Sequence, residues 1–291
     1  MELRVLRYFL AVAREQNITR AAEALHLTQP TLSRQMNELE QEMGAALFKR
    51  EGRRTVLTYD GNLLKKYAEE IVELANKLQS DFDARGEKLQ GTVAIGCVEA
   101  KGSGLLVSLI KTFHEKYPGV KFDLYNSYAD DIKDRIDKGL IDIGLLLEPV
   151  DVERYDYTRL AADETWGVLV NADDPLAEKA QIKLQMLAGR SLIIPQRLAT
   201  RQEIFSWFGH TGGRYKVFAT YTLLSNAILM VEQGLGCAIC LDGAIGIRDN
   251  SHVKFIPLFP VKKSGSLLVW KKNNVFNPAA ALLIDMINKK I

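Results

Sequence analysis

The sequence predicts a multidomain protein of mixed class, with an α-helical N-terminal part, one long linker helix and an α/β C-terminal part. Apolar residues recur at spacings of three and four in the first 58 residues, as in short amphipathic helices. From Asp60 to about Lys88 the chain contains no proline, which favours a long helix. After Gly91, short β-rich runs alternate with amphipathic helical stretches, a pattern typical of a parallel sheet.

Composition agrees with this class. The 291 residues are 25% charged and 47% hydrophobic, which is ordinary for a globular protein and long enough for about two domains. The formal net charge of +2 is too small to indicate a nucleic-acid binder from the whole chain. Three cysteines, an odd number, favour a reducing compartment and hence the cytoplasm. We find no signal peptide and no 18-residue apolar run, and we therefore expect no membrane association.

The first 58 residues predict three short helices. The first follows from four apolar positions at helical spacing: Leu3, Leu6, Leu10 and Ala13. A second opens at residues 17–19 and a tight connection follows Leu25. Thr28 is a predicted N-cap, and Pro30 fits the first turn of a third helix that runs to about Met43.

The two faces of the third helix differ in chemistry. An apolar stripe is predicted to pack inward: Leu32, Met36, Leu39 and Met43. The opposite side carries mostly hydrogen-bonding residues suited to base edges: Gln29, Pro30, Ser33, Arg34, Asn37 and Gln41. Two short helices, a tight turn and a polar outer face match helix-turn-helix geometry, although an ordinary surface helix is also polar outside.

A basic segment follows these helices. Residues 49–54 carry four positive charges and one negative, and Thr55–Thr58 predicts a short strand. The pattern indicates a basic wing that contacts phosphates or enters a minor groove. The alternative interpretation is a solvated turn.

The long helix carries a repeating apolar seam. About 28 helical residues would span roughly 42 Å. Spacings of 3, 4, 3 and 4 predict a coiled-coil seam that pairs with a second copy: Leu64, Tyr67, Ile71, Leu74 and Leu78. Packing of this helix on its own domain is the alternative.

The C-terminal part predicts alternating strands and helices. Expected strands are Thr92–Cys97, Val120–Asn126, Ile141–Leu147, Trp166–Val170, Leu192–Pro195, Tyr215–Thr220 and Cys237–Leu241. Expected helices are Gly104–Tyr117, Asp130–Lys138, Thr200–Phe208 and Leu223–Gln233. Helices that begin at the carboxyl ends of strands border a ligand crevice, and their free N–H groups favour an anion. Lys101, Arg197 and Arg201 could add positive charge; alternatively, these residues are ordinary caps and surface cations.

Signals of catalysis are weak. Cys237 and Cys240 match a short redox or metal spacing, but they lie in an apolar run and are expected to be buried core thiols. Four dispersed histidines predict no metal site. The glycines around Ser103 complete neither a dinucleotide fingerprint nor a phosphate loop, and no nucleophile elbow occurs. We therefore expect no enzyme.

The N-terminal residues resemble those of the LysR-type transcriptional regulators. The segments that carry the resemblance, at nearly the family spacing, are Phe9–Ala13, Thr19–Leu25, Thr28–Met36, Leu39–Glu40, Leu47–Arg50, Val56–Thr58 and Gly61. A small departure is Asp60, where the family usually has alanine.

This resemblance implies a winged helix-turn-helix in 1–58, a dimerising linker helix in 59–88 and an effector domain of periplasmic-binding-protein type in 89–291. Lobe I of that domain would comprise about 89–161 and 266–291, and lobe II about 162–265. The residues expected at the DNA are Gln29, Pro30, Thr31, Ser33, Arg34, Asn37, Arg50, Arg53 and Arg54. Implied partners are promoter DNA, further copies in a dimer or tetramer, and RNA polymerase if the protein activates.

The resemblance also implies an effector site between the two lobes. The expected lining residues are Glu99, Ala100, Lys101, Gly102, Ser103, Ser127, Tyr128, Gln196, Arg201 and Thr222. Ala100 stands where many relatives have a hydroxyl residue, and Glu99 beside it could repel a simple dicarboxylate. We expect no cofactor. We expect a small-molecule effector of open identity, with an anion as the candidate class. A solute-binding protein and an α/β enzyme are the alternatives, and residues 1–58 disfavour both.

Overall fold

The computed structural model describes residues 1–52, 54–83, 89–208, 215–245 and 252–290. Contacts divide the chain into two compact units, Met1–Phe82 and Asp83–Ile291. The long helix predicted as a linker lies in the first unit apart from its last residue. Within the described ranges, no helix has the length and apolar character that a membrane span needs.

The first unit contains four helices and a hairpin in its described part. Its elements are α1 (Leu3–Glu15), α2 (Ile18–Ala24), α3 (Gln29–Met43), β1 (Phe48–Glu51), β2 (Arg54–Leu57) and α4 (Tyr59–Asp83). The Asn17 side chain accepts hydrogen bonds from the N–H groups of Thr19 and Arg20 and so begins α2. Thr28 is the N-cap residue of α3 as predicted, but its hydroxyl contacts the Thr31 hydroxyl at 2.8 Å instead of a backbone N–H.

The core of this unit lies where α1, α2 and α3 meet. Phe9, Leu32 and Leu39 are almost completely buried there. Burial of the α3 stripe confirms the predicted inward face, except that Met43 is 39% exposed. Met43 is the last residue of α3, and the chain leaves the helix at Gly44 in the left-handed conformation.

The second unit is a ten-stranded sheet covered by helices. Its strands are β3 (Gly91–Cys97), β4 (Val120–Asn126), β5 (Ile143–Leu147), β6 (Tyr155–Asn171), β7 (Ile182–Lys183), β8 (Ser191–Pro195), β9 (Lys216–Tyr221), β10 (Cys237–Leu241), β11 (Val253–Phe259) and β12 (Lys263–Lys271). The described helices are α5 (Gly102–Lys116), α6 (Ala129–Asp137), α7 (Leu198–Phe208), α8 (Leu224–Glu232) and α9 (Pro278–Lys290).

Strand β6 is shared by two lobes. The sheet order is β4-β3-β5-β12-β6-β10-β8-β9, and β11 also pairs with β6. The β12 ladder occupies β6 as far as Thr165, whereas β10 and β11 pair with it from Trp166 onward. Separate hydrophobic clusters lie on each side of this change: Phe113 and Ile143 belong to one lobe, and Ile194 to the other. The boundary therefore falls inside one continuous strand.

Cys97, Cys237 and Cys240 are all buried, which was predicted for Cys237 and Cys240. Cys237 and Cys240 lie on opposite faces of β10 and belong to different hydrophobic clusters. Burial raises the pKa of Cys97 and of Cys237 to about 11, which keeps both thiols protonated and unreactive. The described residues contain no group of histidine, cysteine and carboxylate side chains that could hold a metal ion.

Several elements differ from the prediction. Helix α4 ends at Asp83, and residues 84–88 of the predicted linker lie outside the described residues. Strand β6 has 17 residues, of which the sequence predicted only Trp166–Val170. The sequence did not identify the first half of β6 as a strand, because this half mixes charged and apolar residues and is partly exposed.

Candidate nucleic-acid interface and ligand cavity

The N-terminal half of α3 presents a polar face to solvent. Gln29, Pro30, Thr31, Arg34 and Asn37 are exposed, and Ser33 is half-buried. They face outward because Leu32, Met36 and Leu39 hold the opposite side of α3 in the core. Exposed amide, hydroxyl and guanidinium groups at the start of a helix can reach base edges in a major groove.

Arg34 has one intramolecular partner on this face. Its Nε lies 3.3 Å from Oε1 of Glu38, one turn further along α3, and both side chains are more than half exposed. An exposed ion pair of this kind contributes little free energy, at most about 1 kcal/mol. The guanidinium can therefore exchange Glu38 for a base or a phosphate at small cost.

The hairpin of β1 and β2 is tied to α3 through Glu40. Oε1 of Glu40 accepts hydrogen bonds from the N–H groups of Leu47, at 2.7 Å, and Phe48, at 3.0 Å. The Phe48 ring lies 5.3 Å from that of Phe9 in the core. A carboxylate on α3 thus sets where the hairpin begins, which fixes the wing relative to the polar face.

The wing carries unpaired positive charge. Lys49 pairs with Glu51 at 2.7 Å. Arg50 and Arg54 are exposed, and neither has a carboxylate partner within the described part of the chain. Arg53, also expected at the DNA, lies outside the described residues. Free guanidinium groups on a protruding hairpin are suited to phosphate contacts.

Helix α4 starts close against the wing and then exposes an apolar stripe. Gly61 permits the close approach, because a Cβ there would lie 2.1 Å from the Leu47 carbonyl oxygen. Four predicted seam residues are 43–58% exposed: Tyr67, Ile71, Leu74 and Leu78. Leu64 differs, because it is half-buried against the core of its own unit, and Leu63 occupies the exposed stripe instead.

A cavity lies between the two lobes of the second unit. It has an empty volume of about 780 Å³, part of which is open to solvent. It lies at the carboxyl ends of β3, β4 and β5 from one lobe and of β8, β9 and β10 from the other. Its lining includes Val98, Glu99, Tyr128, Leu147, Glu148, Trp166, Gln196, Arg197, Thr222 and Leu241. Strand ends around a crevice are the usual ligand position in such sheets.

Half of the expected effector residues line this cavity. The structure brings together Glu99, Ser127, Tyr128, Gln196 and Thr222. The expectation is not met at five other positions, which do not belong to the lining: Ala100, Lys101, Gly102, Ser103 and Arg201.

The chain turns away from the cavity after Glu99, which explains most of these differences. Ala100 is buried, and Gly102 packs against Ser266. The Ser103 hydroxyl donates to the Val98 carbonyl at 3.3 Å. The Lys101 ammonium pairs with Asp242 at 2.5 Å. The expectation missed Glu148, Trp166 and Leu241, although Glu148 directly follows a predicted strand and the strand-end rule could have found it.

The charged groups around the cavity are mostly paired. The Nε and Nη2 groups of Arg197 donate to the two carboxylate oxygens of Asp130, each at 3.1 Å, and Nη1 donates to the Pro149 carbonyl at 2.9 Å. Glu148 pairs with Arg159 at 2.9 Å. Lys101, Arg197 and Arg201 were expected to add positive charge for an anionic ligand. Lys101 and Arg201 do not belong to the lining, and Arg197, which does, is paired with Asp130.

A buried carboxylate connects the lobes beside the cavity. Glu164 is completely buried and accepts hydrogen bonds from the N–H of Lys101 and, at 3.1 Å, from that of Gly243. Burial raises the pKa of Glu164, and the two backbone donors oppose that rise. The sequence analysis missed this residue. Alternation along the strand could have identified it, because Glu164, Trp166 and Val168 lie two residues apart and share one inward face of β6.

An exposed polar helix beside a cationic wing, and a separate two-lobed unit around a cavity, define a DNA-binding regulator with a ligand-sensing domain. Family models agree with both parts. Residues 3–62 match the bacterial regulatory helix-turn-helix protein model of the lysR family, and residues 86–291 match the LysR substrate binding domain. The chain belongs to the LysR family of transcriptional regulators. It is a DNA-binding protein with an effector-binding domain, and its relatives are regulators and not enzymes.

Individual relatives cover the whole chain. The Hca operon transcriptional activator HcaR of Escherichia coli K12 is 29% identical over 297 residues, with 100% of this chain and 98% of the relative covered. The hydrogen peroxide-inducible genes activator of Pectobacterium carotovorum is 26% identical, covering 99% and 96%.

Solved structures show the same fold. CbnR, a LysR family transcriptional regulator, has a TM-score of 0.79 at 21% identity, with 99% of each chain covered. Full-length CbnR complexed with its target DNA has a TM-score of 0.78 at 21% identity, with 100% of each chain covered.

Proposed function

We propose that two copies of this regulator bind a two-fold related operator, each inserting the N-terminal half of α3 into the major groove. The observation that carries the proposal is the exposed polar face of α3 beside a wing that Glu40 holds in place. Arg50 and Arg54 of this wing have no carboxylate partner among the described residues. The side chains proposed for base edges and nearby phosphates are Gln29, Pro30, Thr31, Ser33, Arg34 and Asn37. Arg50, Arg53 and Arg54 are proposed to contact phosphates or the minor groove.

Genome-wide mapping of bound DNA, followed by gel-shift titration of the recovered sites, tests this proposal. We expect sequence-selective binding that weakens steeply with salt, since several arginines replace counterions at the backbone. The recovered sites should contain half-sites about one helical turn apart. Binding that ignores sequence, or that is insensitive to salt, would contradict the proposal.

The apolar stripe of α4 supports dimerisation. Leucine and aromatic side chains that remain exposed along one face of a 25-residue helix are suited to the same face of a second copy. Ile71→Glu should shift the protein to monomers in analytical ultracentrifugation, because it buries a charge in the proposed seam. Asn76→Glu, on the opposite face of α4, where the Asn76 side chain accepts a hydrogen bond from Arg7, should leave the assembly intact. Equal effects of both variants would count against the seam, and the sedimenting mass of the unmodified protein distinguishes a dimer from a tetramer.

The cavity between the lobes is proposed as the effector site. Its position at the strand ends of both lobes lets a bound molecule contact both, so binding would change the balance between open and closed lobe arrangements. The proposal includes no metal or cofactor. We further propose that the regulator acts in the bacterial cytoplasm. Where it activates transcription, RNA polymerase is the proposed partner; two relatives described above are activators.

A further inference from the structure

The N-terminus of α8 is the place in the cavity where a ligand carboxylate would be expected, and a carboxylate of the chain already occupies it. Oε2 of Glu99 accepts a hydrogen bond from the N–H of Leu224, the first residue of α8, at 2.7 Å. The N-cap residue, Leu223, has no side-chain oxygen, so the cap comes from a residue 125 positions away. The free N–H groups and the helix dipole therefore act on Glu99 instead of on an incoming anion.

Arg197, the one cation among the described lining residues, is also occupied. Arg197 binds Asp130 through two hydrogen bonds and the Pro149 carbonyl through a third, and its side chain is only 13% exposed. A ligand carboxylate would have to displace Asp130 from a bidentate pair. Bidentate guanidinium–carboxylate pairs are among the stronger polar interactions, which makes this exchange unfavourable.

Negative charge remains in the lining once these pairs are formed. Three lining residues are charged among those that the structure describes: Glu99, Glu148 and Arg197. Glu148 is paired with Arg159, and Arg197 with Asp130. Glu99 has no oppositely charged side chain in the described ranges, and its bond to Leu224 uses only one carboxylate oxygen. The cavity thus presents one uncompensated carboxylate.

The rest of the lining is mainly apolar and aromatic. The Trp166 indole N–H donates to Ser264 at 2.9 Å, and the Tyr221 hydroxyl donates to the Ile239 carbonyl at 2.8 Å. Because their polar atoms are already bonded, these side chains offer ring surface, which suits an apolar group and favours a nearby cation. Leu147 and Leu241 add aliphatic surface.

We propose that this cavity binds a small molecule with an apolar body and a protonated amine, and that Glu99 excludes carboxylates by capping α8 while its charge pairs with the amine. The inference rests on the proposed effector role of the cavity and reverses the charge expected from the sequence. It names a class of ligand, apolar amines, and a specificity-determining residue.

Two matched pairs of probes test the inference on the full-length protein by isothermal titration calorimetry. 2-Phenylethylamine and phenylacetate share a benzyl body, and pentylamine and pentanoate share an alkyl body, so each pair differs mainly in the charge of its head group. At least one amine should bind the unmodified protein ten times more tightly than its carboxylate partner. Glu99→Gln keeps an oxygen acceptor for Leu224 but removes the charge, and should abolish this preference without creating carboxylate binding.

Glu99→Ala supplies the opposite readout. It frees the N-terminus of α8, so the carboxylate probes should bind the variant at least ten times more tightly than the unmodified protein. Glu153→Gln, an exposed position outside the cavity, removes the same charge and should leave the preference unchanged. Circular dichroism melting of each variant verifies that it is folded.

Carboxylates that bind the unmodified protein as tightly as the amines would overturn the inference. So would failure of both amines to bind, or failure of Glu99→Ala to gain carboxylate binding. Operator binding by the unmodified protein, measured by gel shift without probe, reports separately on the proposed regulatory function. A protein that prefers amines but binds no operator would contradict that function and leave the ligand class standing.

Discussion

The wing and the inter-lobe cavity both contain arginines that the sequence suggests for an anion, but only the wing leaves them free. Arg50 and Arg54 are exposed and lack a carboxylate partner among the described residues. Arg197 at the cavity is held by Asp130 and the Pro149 carbonyl, and Lys101 is held by Asp242. The wing charges can bind an external anion, whereas the cavity charges are already bound within the fold.

This difference shows that pairing, and not the number of cations, decides which partner a surface can bind. Residues 1–58 contain nine lysines and arginines against seven acidic residues, a balance that by itself identifies no binding surface. The wing is suited to an anion because the guanidinium groups of Arg50 and Arg54 keep their solvent-exposed hydrogen-bond donors. Substitutions should therefore affect binding at the wing and folding stability beside the cavity.

The largest expected effect is on stability, at the buried carboxylate beside the cavity. Glu164→Ala leaves the N–H groups of Lys101 and Gly243 without their acceptor and should lower the free energy of unfolding by about 2–5 kcal/mol. Urea unfolding followed by circular dichroism measures the change. Asp163→Ala removes its exposed neighbour, which pairs with Lys263, and should cost less than about 0.5 kcal/mol. A similar loss for both variants would contradict the distinction between a buried and an exposed carboxylate.

The second effect is on DNA affinity, at the polar face of α3. Arg34→Ala should weaken operator binding by about 1–3 kcal/mol if the guanidinium reads a base edge, and it should leave the unfolding free energy nearly unchanged. Gel-shift titration measures the affinity. Arg14→Ala, an exposed arginine at the end of α1 that also pairs with a glutamate, is the matched control. Unchanged affinity for Arg34→Ala would remove this residue from the interface.

A smaller effect is expected at the wing. Arg54→Ala should reduce the slope of log affinity against log salt by about 0.9, which corresponds to about a fivefold loss of affinity near 0.15 M salt. The loss should be similar for all operator sequences, because a phosphate contact carries no base information. Lys49→Ala provides the comparison within the hairpin, since Lys49 already pairs with Glu51. An equal change in slope for the two variants would mean that pairing with a carboxylate does not determine whether a cation can contact phosphate.

The smallest expected effect is a pH dependence of stability. The pKa of Glu164 is raised in the folded protein, so the folded state binds the proton more tightly than the unfolded chain does. This contribution stabilises the protein below the ordinary glutamate pKa of about 4.5 and is lost as pH rises through the raised value. The difference in melting temperature between the unmodified protein and Glu164→Gln should change across that window. A constant difference would show that Glu164 does not titrate there.

Local patterns predicted the first unit well. The three N-terminal helices and the long helix follow from spacing, capping residues and the absence of proline, all of which act within a few residues. Of the hairpin, only the second strand was predicted; β1 was expected to be part of a basic loop. Leu64 is the exception, because the heptad pattern cannot distinguish the core of its own unit from a partner helix. A helix that packs on its own core and a helix that packs on a partner helix both need apolar residues at the same spacing.

The sequence predicted where the cavity lies but not how its charged side chains are paired. Strand ends identified Glu99 and Gln196, since topology determines which loops meet. The charge state depends on contacts such as Arg197 with Asp130, 67 residues apart, and Glu99 with Leu224, 125 residues apart. Such pairs leave no periodic signal in a single sequence, so the sequence favoured an anionic ligand, whereas the contacts lead us to propose an amine.

The shared strand β6 constrains how this protein can be divided. A cut near Thr165 would separate the ladder with β12 from the ladders with β10 and β11, and each fragment would expose unpaired strand edges prone to aggregation. Neither lobe is therefore expected to be expressible alone. Chimaeras that exchange ligand specificity between relatives should replace the whole effector domain, or single side chains around the cavity, and not one lobe.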